Sequence, residues 1–151
     1  MVIIRMMMLV VVTATCFLSG CVWHDYNSPK IEGVVIHQGQ ALAGVKVALD
    51  DGSRESVTAT TDEQGHFSLN PQGEWSVFIP IGPQDRFLHW SVIIYPTGTE
   101  GITGYEGGGI GGFFSGYSSS DRVNLLCDVA LVNERADKPQ RNWICRAVPA
   151  N

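Results

Sequence analysis

Basic residues are scarce in this chain: ten Lys and Arg stand against fifteen Asp and Glu among 151 residues, and the ten form no run. A surface that tracks phosphates needs clustered cations, so nucleic acid is excluded as a partner. An acidic body is also repelled by anionic lipid, so charge does not hold it at a membrane; steering weakly favours a basic protein partner. Catalytic spacings are missing as well. His24, His37, His66 and His89 fall in no HExxH or HxxE pattern, which excludes a metallopeptidase helix. Residues 112–116 (GFFSG) and 116–120 (GYSSS) miss the GxSxG elbow. The glycine cluster around them lacks GK[ST] and a following helix, so it is no phosphate cradle. These absences argue against an enzyme, and no cofactor is implied. The apolar stretch from Met6 to Phe17 falls short of the ~20 residues that a ~30 Å bilayer core requires.

That stretch follows a single positive charge, Arg5, and closes on Leu18-Ser19-Gly20-Cys21. The arrangement resembles the lipobox of bacterial lipoprotein signal peptides. The resemblance implies a signal peptide over residues 1–20, cleavage before Cys21, and acylation of that cysteine, palmitate included. Several acyl chains anchor stably where one holds only marginally. Val22 stands where Asp would signal inner-membrane retention, so the implied address is the bacterial envelope, at the outer membrane. The mature chain would carry 9 basic and 15 acidic residues, a net charge of −6, and its length suits one domain. Residues 21–30 read as a polar tether whose Trp23 and Tyr26 suit a lipid headgroup boundary.

Beyond the tether, strand signals dominate and no helical periodicity is sustained. Ile31 to His37 is β-branched; Val45, Val47 and Leu49 alternate with Lys46 and Ala48. The turn at Asp50-Asp51-Gly52-Ser53 uses a Gly free to take positive φ. Further strands are expected in 54–61, 66–69, 74–79 and 87–95, the last as a run buried on both faces. Short strands at this spacing indicate an antiparallel sandwich. Asp50, Asp51, Asp62 and Glu63 suggest calcium ligands if gathered at one end, but Asp in tight turns more often satisfies backbone N–H groups, and no metal site is assigned.

Residues 96–121 carry nine glycines, at 98, 101, 104, 107, 108, 109, 111, 112 and 116, and such backbone freedom is costly to order. They are expected to form an irregular loop. Ile110, Phe113, Phe114 and Tyr117 punctuate it, either folding back on the sandwich or forming an adaptable contact surface anchored on Phe113 and Phe114.

Cys127 and Cys145 remain as a pair once Cys16 leaves with the signal and Cys21 carries lipid. In an oxidising compartment they are expected to form a disulfide, two buried thiols being the alternative. Leu125, Cys127, Val129 and Leu131 alternate, as do Trp143, Cys145 and Ala147. Pairing about Ala136 sets Cys127 opposite Cys145, Val129 opposite Trp143 and Leu125 opposite Ala147, within disulfide reach.

Four blocks in order carry a second likeness: Ile31-x-Gly33-x-Val35, Gly39-x-x-Leu42-x-Gly44-Val45-x-Val47, Thr61-Asp62-x-x-Gly65-x-Phe67-x-Leu69 and Gly73-x-Trp75-x-Val77. Residues 31–80 thus resemble a carboxypeptidase regulatory-like domain, with Ala41 where the family often has Pro and Trp75 where Tyr is common. The resemblance implies a transthyretin-like (prealbumin-like) sandwich and an accessory role rather than a peptidase. The expected whole is one domain over 31–151: an all-β, transthyretin-like antiparallel β-sandwich with a C-terminal disulfide-linked β-hairpin. Its expected function is a non-enzymatic, membrane-anchored binding or accessory module of the envelope, facing a protein or glycan. An immunity or inhibitor protein against an envelope-attacking enzyme is the sharper form. A structural envelope lipoprotein that stabilises an assembly is the alternative.

Overall fold

The computed structural model describes residues 2–18, 22–53, 56–77, 85–96, 100–112, 114–132 and 144–149. Cys21, Phe113 and Trp143 lie outside them. Among the described residues one α-helix, α1 (Val2–Leu18), precedes eleven strands: β1 Val22–Tyr26, β2 Lys30–His37, β3 Gln40–Ala41, β4 Lys46–Asp50, β5 Val57–Thr60, β6 His66–Leu69, β7 Gly73–Val77, β8 Arg86–Tyr95, β9 Ile102–Gly111, β10 Arg122–Asp128 and β11 Cys145–Val148. Among the described residues no helix is long and apolar enough to cross a membrane.

Two sheets form an all-β sandwich. The first runs β11-β10-β2-β3, with β6 also on β2; the second runs β5-β4-β8-β9. Their facing side chains make the core: Ile31, Val35, Phe67, Leu69, Leu125 and Cys127 from the first, and Val47, Leu49, Trp90, Val92 and Ile94 from the second. Full burial of each aliphatic side chain contributes roughly 1.5–3 kcal/mol, so the alternating inward residues of β8, with Val47 and Leu49 of β4, lock the sheets together; Ala48, expected on an open face, is buried as well. Every ladder is antiparallel except β2–β10, which is parallel from Lys30–Arg122 to Ile36–Asp128. Parallel neighbours need a long crossover; here the whole second sheet is built between them.

The C-terminal hairpin has the register the cysteines demand. Cys127 faces Cys145 and Leu125 faces Ala147, and the two cysteines are joined. Val129 leaves the ladder, because Asp128 caps a 3-10 turn over Val129–Leu131 by accepting from the Ala130 N–H at 3.0 Å.

Three expectations change. Residues 22–30 are no tether: β1 pairs with β7 as a two-stranded ribbon apart from both sheets, and Ser28 and Pro29 are fully buried. Strand β8 is buried on one face only, with Leu88, Trp90, Val92 and Ile94 inside while Phe87 and His89 face solvent. Residues 96–121 are not wholly irregular, since β9 occupies ten of them, paired along β8 with a bulge between Val92 and Ile93.

Candidate functional site

The glycines of β9 are what let it form. A Cβ on Gly107 would collide with the Trp90 ring, and one on Gly104 would meet Cys145 Sγ at 2.7 Å and Ile94 at 3.0 Å. Trp90 therefore lies flat over bare backbone, its indole stacked on Tyr105 at 5.7 Å and donating from Nε1 to the Tyr117 hydroxyl at 3.1 Å. Glycine weakens an isolated strand but admits the close approach of another group. Here a buried aromatic supplies the packing that β9 lacks. No periodicity rule could have found this, because the stabilising partner sits on a different strand.

Strand β9 ends its sheet, so one of its flanks carries backbone groups that no described strand pairs. Edge strands are templates for further pairing, and proteins usually blunt them with Lys, Pro or a cover. This one has neither Lys nor Pro along its ten residues. Gly108 and Gly109 are exposed. Next to them, Phe87 and Ile110 pair in register across the outer face at 74% and 75% exposure. Phe87, His89, Glu106 and Ile110 border a trough of about 440 Å³ floored by glycines 107–109. A neighbouring hollow of about 410 Å³ shares Phe87 and His89 and adds Asp50 and Asp51.

The residues singled out in the glycine-rich stretch therefore separate. Ile110 sits in β9 opposite Phe87. Phe114 is 55% exposed and meets Trp23 edge-on, ring centres 5.0 Å apart. Tyr117 is half-buried against the core and exchanges backbone hydrogen bonds with Tyr26 at 2.9 and 3.2 Å, so it clips the segment after β9 to β1. Phe113 falls outside the described residues, as does Cys21. Phe87, expected within a strand buried on both faces, is exposed, as are Trp75 and Val77, which were expected in a strand with no face assigned.

The acidic turns are occupied locally. Asp50 and Asp51 accept from the N–H groups of Gly52 and Ser53 at 3.3 and 3.1 Å, and Gly52 takes φ +77. Asp51, buried, also accepts from Ser28 Oγ at 3.1 Å. Asp62 accepts from the Gln64 and His66 N–H groups at 3.0 and 2.8 Å. These two turns flank opposite ends of β5, so the four carboxylates do not gather at one end. Among the described residues no cluster of three or more His, Cys, Asp or Glu is disposed to hold a metal.

A buried ion pair joins the ribbon to the sandwich. Asp25 of β1 is 3% exposed and pairs with Arg86 of β8, whose Nη2 also donates to Asn27 Oδ1 at 2.6 Å. Asp25 Oδ1 has no hydrogen-bond partner among the described residues. Gly116 lies so close that any Cβ there would strike the Asp25 carboxylate. Sequence reading missed this pair because its partners are far apart in the chain. In comparisons with known proteins, no family model and no curated sequence matches this chain.

Proposed function

We propose that this chain is a non-enzymatic, lipid-anchored binding module of the bacterial envelope, held at the outer membrane through acylated Cys21. Its partner is an extended segment of an envelope protein, which adds as a strand along the flank of β9 that no described strand pairs. The observation that carries this reading is the edge itself: ten residues without Lys or Pro, bare at Gly108 and Gly109, beside the exposed Phe87–Ile110 pair. In strand addition, main-chain hydrogen bonds supply affinity and flanking side-chain pockets supply specificity. The trough beside Phe87 offers such a pocket, and His89 and Glu106 give it polar groups. The glycine floor favours a polypeptide over a glycan, because it offers backbone groups and few side-chain donors. The cysteine pair suits an oxidising compartment, and the lipobox-like segment supports the anchor.

The test is a photoreactive amino acid at Gly109 in the full chain, irradiated in intact cells. A discrete protein adduct is expected, and Ile110→Lys should abolish it while leaving the melting temperature unchanged. Hydrogen exchange should slow at the amides of 106–110 when the captured partner is added back. An adduct that survives Ile110→Lys, or no protein adduct at all, overturns the reading.

A further inference from the structure

The β1–β7 ribbon presents an apolar face that the sandwich does not use. Its register sets Val22 opposite Val77 and His24 opposite Trp75. Alternation along a strand puts all four on one face. Val22, Trp75 and Val77 are 50%, 74% and 63% exposed. Around the ribbon's opposite side, Trp23 and Phe114 form a second, partly exposed aromatic contact. Neither β1 nor β7 contains Lys or Arg, and Glu74 and Asp25 are the acids, Asp25 being buried. A free two-stranded ribbon is marginal in water. This one is pinned from behind by Asp25–Arg86 and by the Tyr26–Tyr117 bridge, so its outward face is held in place.

We infer that this face is a lipid-docking surface, on which the sandwich lies against the bilayer that its acyl group enters. The inference rests on the lipid-anchor reading of Cys21. Chain position selects the occupant. Val22 is bonded directly to Cys21, and β1 begins there, so no slack separates the acylated residue from the ribbon. Anchoring at that point brings Val22, Val77 and Trp75 to the headgroup boundary. Trp is favoured there because its ring is apolar and its N–H reaches water. The absence of Lys and Arg makes the contact one of area rather than charge, so it is insensitive to salt and does not require anionic lipid. The domain is then oriented by two points, the acyl chains and the ribbon.

The acylated full chain in vesicles of phosphatidylethanolamine and phosphatidylglycerol, doped with bromolipid, tests this directly. Quenching of tryptophan fluorescence should fall to less than half in Trp75→Phe, whereas buried Trp90 makes no contribution. Quenching unchanged by Trp75→Phe overturns the inference. So does a photoreactive residue at Val77 that captures protein rather than lipid. The anchor is scored separately, by palmitate labelling of Cys21. Should labelling fail, flotation of the non-acylated Cys21→Ser chain still decides the ribbon. Binding that drops about tenfold in Trp75→Ser/Val77→Ser, equally at low and high salt, and that is retained in Phe87→Ser/Ile110→Ser, supports the surface. No difference between those two double variants sinks it.

Discussion

The ribbon β1–β7 and the edge strand β9 both lie at the margin of the packed core, yet they are secured by different means. The ribbon is rich in large side chains and is held to the sandwich by the Asp25–Arg86 pair and the Tyr26–Tyr117 bridge. Strand β9 is half glycine and is held by its ladder to β8 and by a core indole that lies against its backbone. A ribbon held at a few polar points is loosened most where a buried charge loses its partner. A strand fixed by close approach is damaged where an added Cβ meets its partner, as at Gly104 and Gly107. Both arrangements leave apolar surface outward, which core packing does not require of Trp75, Val77, Phe87 or Ile110.

The largest effect expected is at the ribbon's pin. Arg86→Met leaves Asp25 buried without a counter-ion and should destabilise by about 3–5 kcal/mol, read as a shifted denaturant midpoint. Asp25→Asn/Arg86→Met should recover much of the loss; no recovery would show that Arg86 acts by packing alone. Next comes the staple, which sits where β9 meets β11. Cys127→Ala/Cys145→Ala should cost roughly 3 kcal/mol for a loop of this size and leave a cooperative fold, since a chain this long has a substantial core. Unfolded protein in the absence of denaturant would show the staple to be obligatory.

Gly107→Ala tests the close approach on which β9 depends. The added methyl strikes Trp90 and should cost about 1–3 kcal/mol by overpacking, with a changed near-ultraviolet signal from that indole. The same substitution at Gly109, where a Cβ meets nothing within 4 Å, should be near neutral. Equal effects at the two sites would mean that glycine serves β9 only through backbone conformation.

The smallest effect expected is electrostatic. The Lys30 ammonium, hydrogen-bonded to the Glu32 carboxylate, holds that carboxyl below its ordinary value, with Nζ and Oε1 2.6 Å apart. A depressed folded-state pKa means the stabilisation is fully present above the ordinary carboxylate range and is lost as pH falls through the lowered value. For so exposed a pair, Glu32→Gln should change stability by less than ~0.5 kcal/mol at neutral pH and flatten the acid limb of the pH–stability curve. A larger loss at neutral pH would place Glu32 in a tighter network than its one ammonium partner.

Local pattern and tertiary placement can be told apart residue by residue. Alternation at Val47 and Leu49 and the turn at Asp50-Asp51-Gly52-Ser53 were legible in the sequence. So was the Cys127–Cys145 register, because strand period and turn chemistry are properties of neighbours. The lipobox-like segment is likewise local. The face of Phe87 and Ile110, the strand over the glycine-rich residues 102–111 and the ribbon between β1 and β7 were not legible. Each depends on a group distant in the chain: Trp90 fills the space above Gly107, Arg86 reaches Asp25, and β7 rather than a sheet receives β1. By itself the sequence determined an all-β chain with a disulfide hairpin and tight polar turns. Which apolar residues were left over to face outward was decided only by packing, since burial is settled by what the rest of the chain covers.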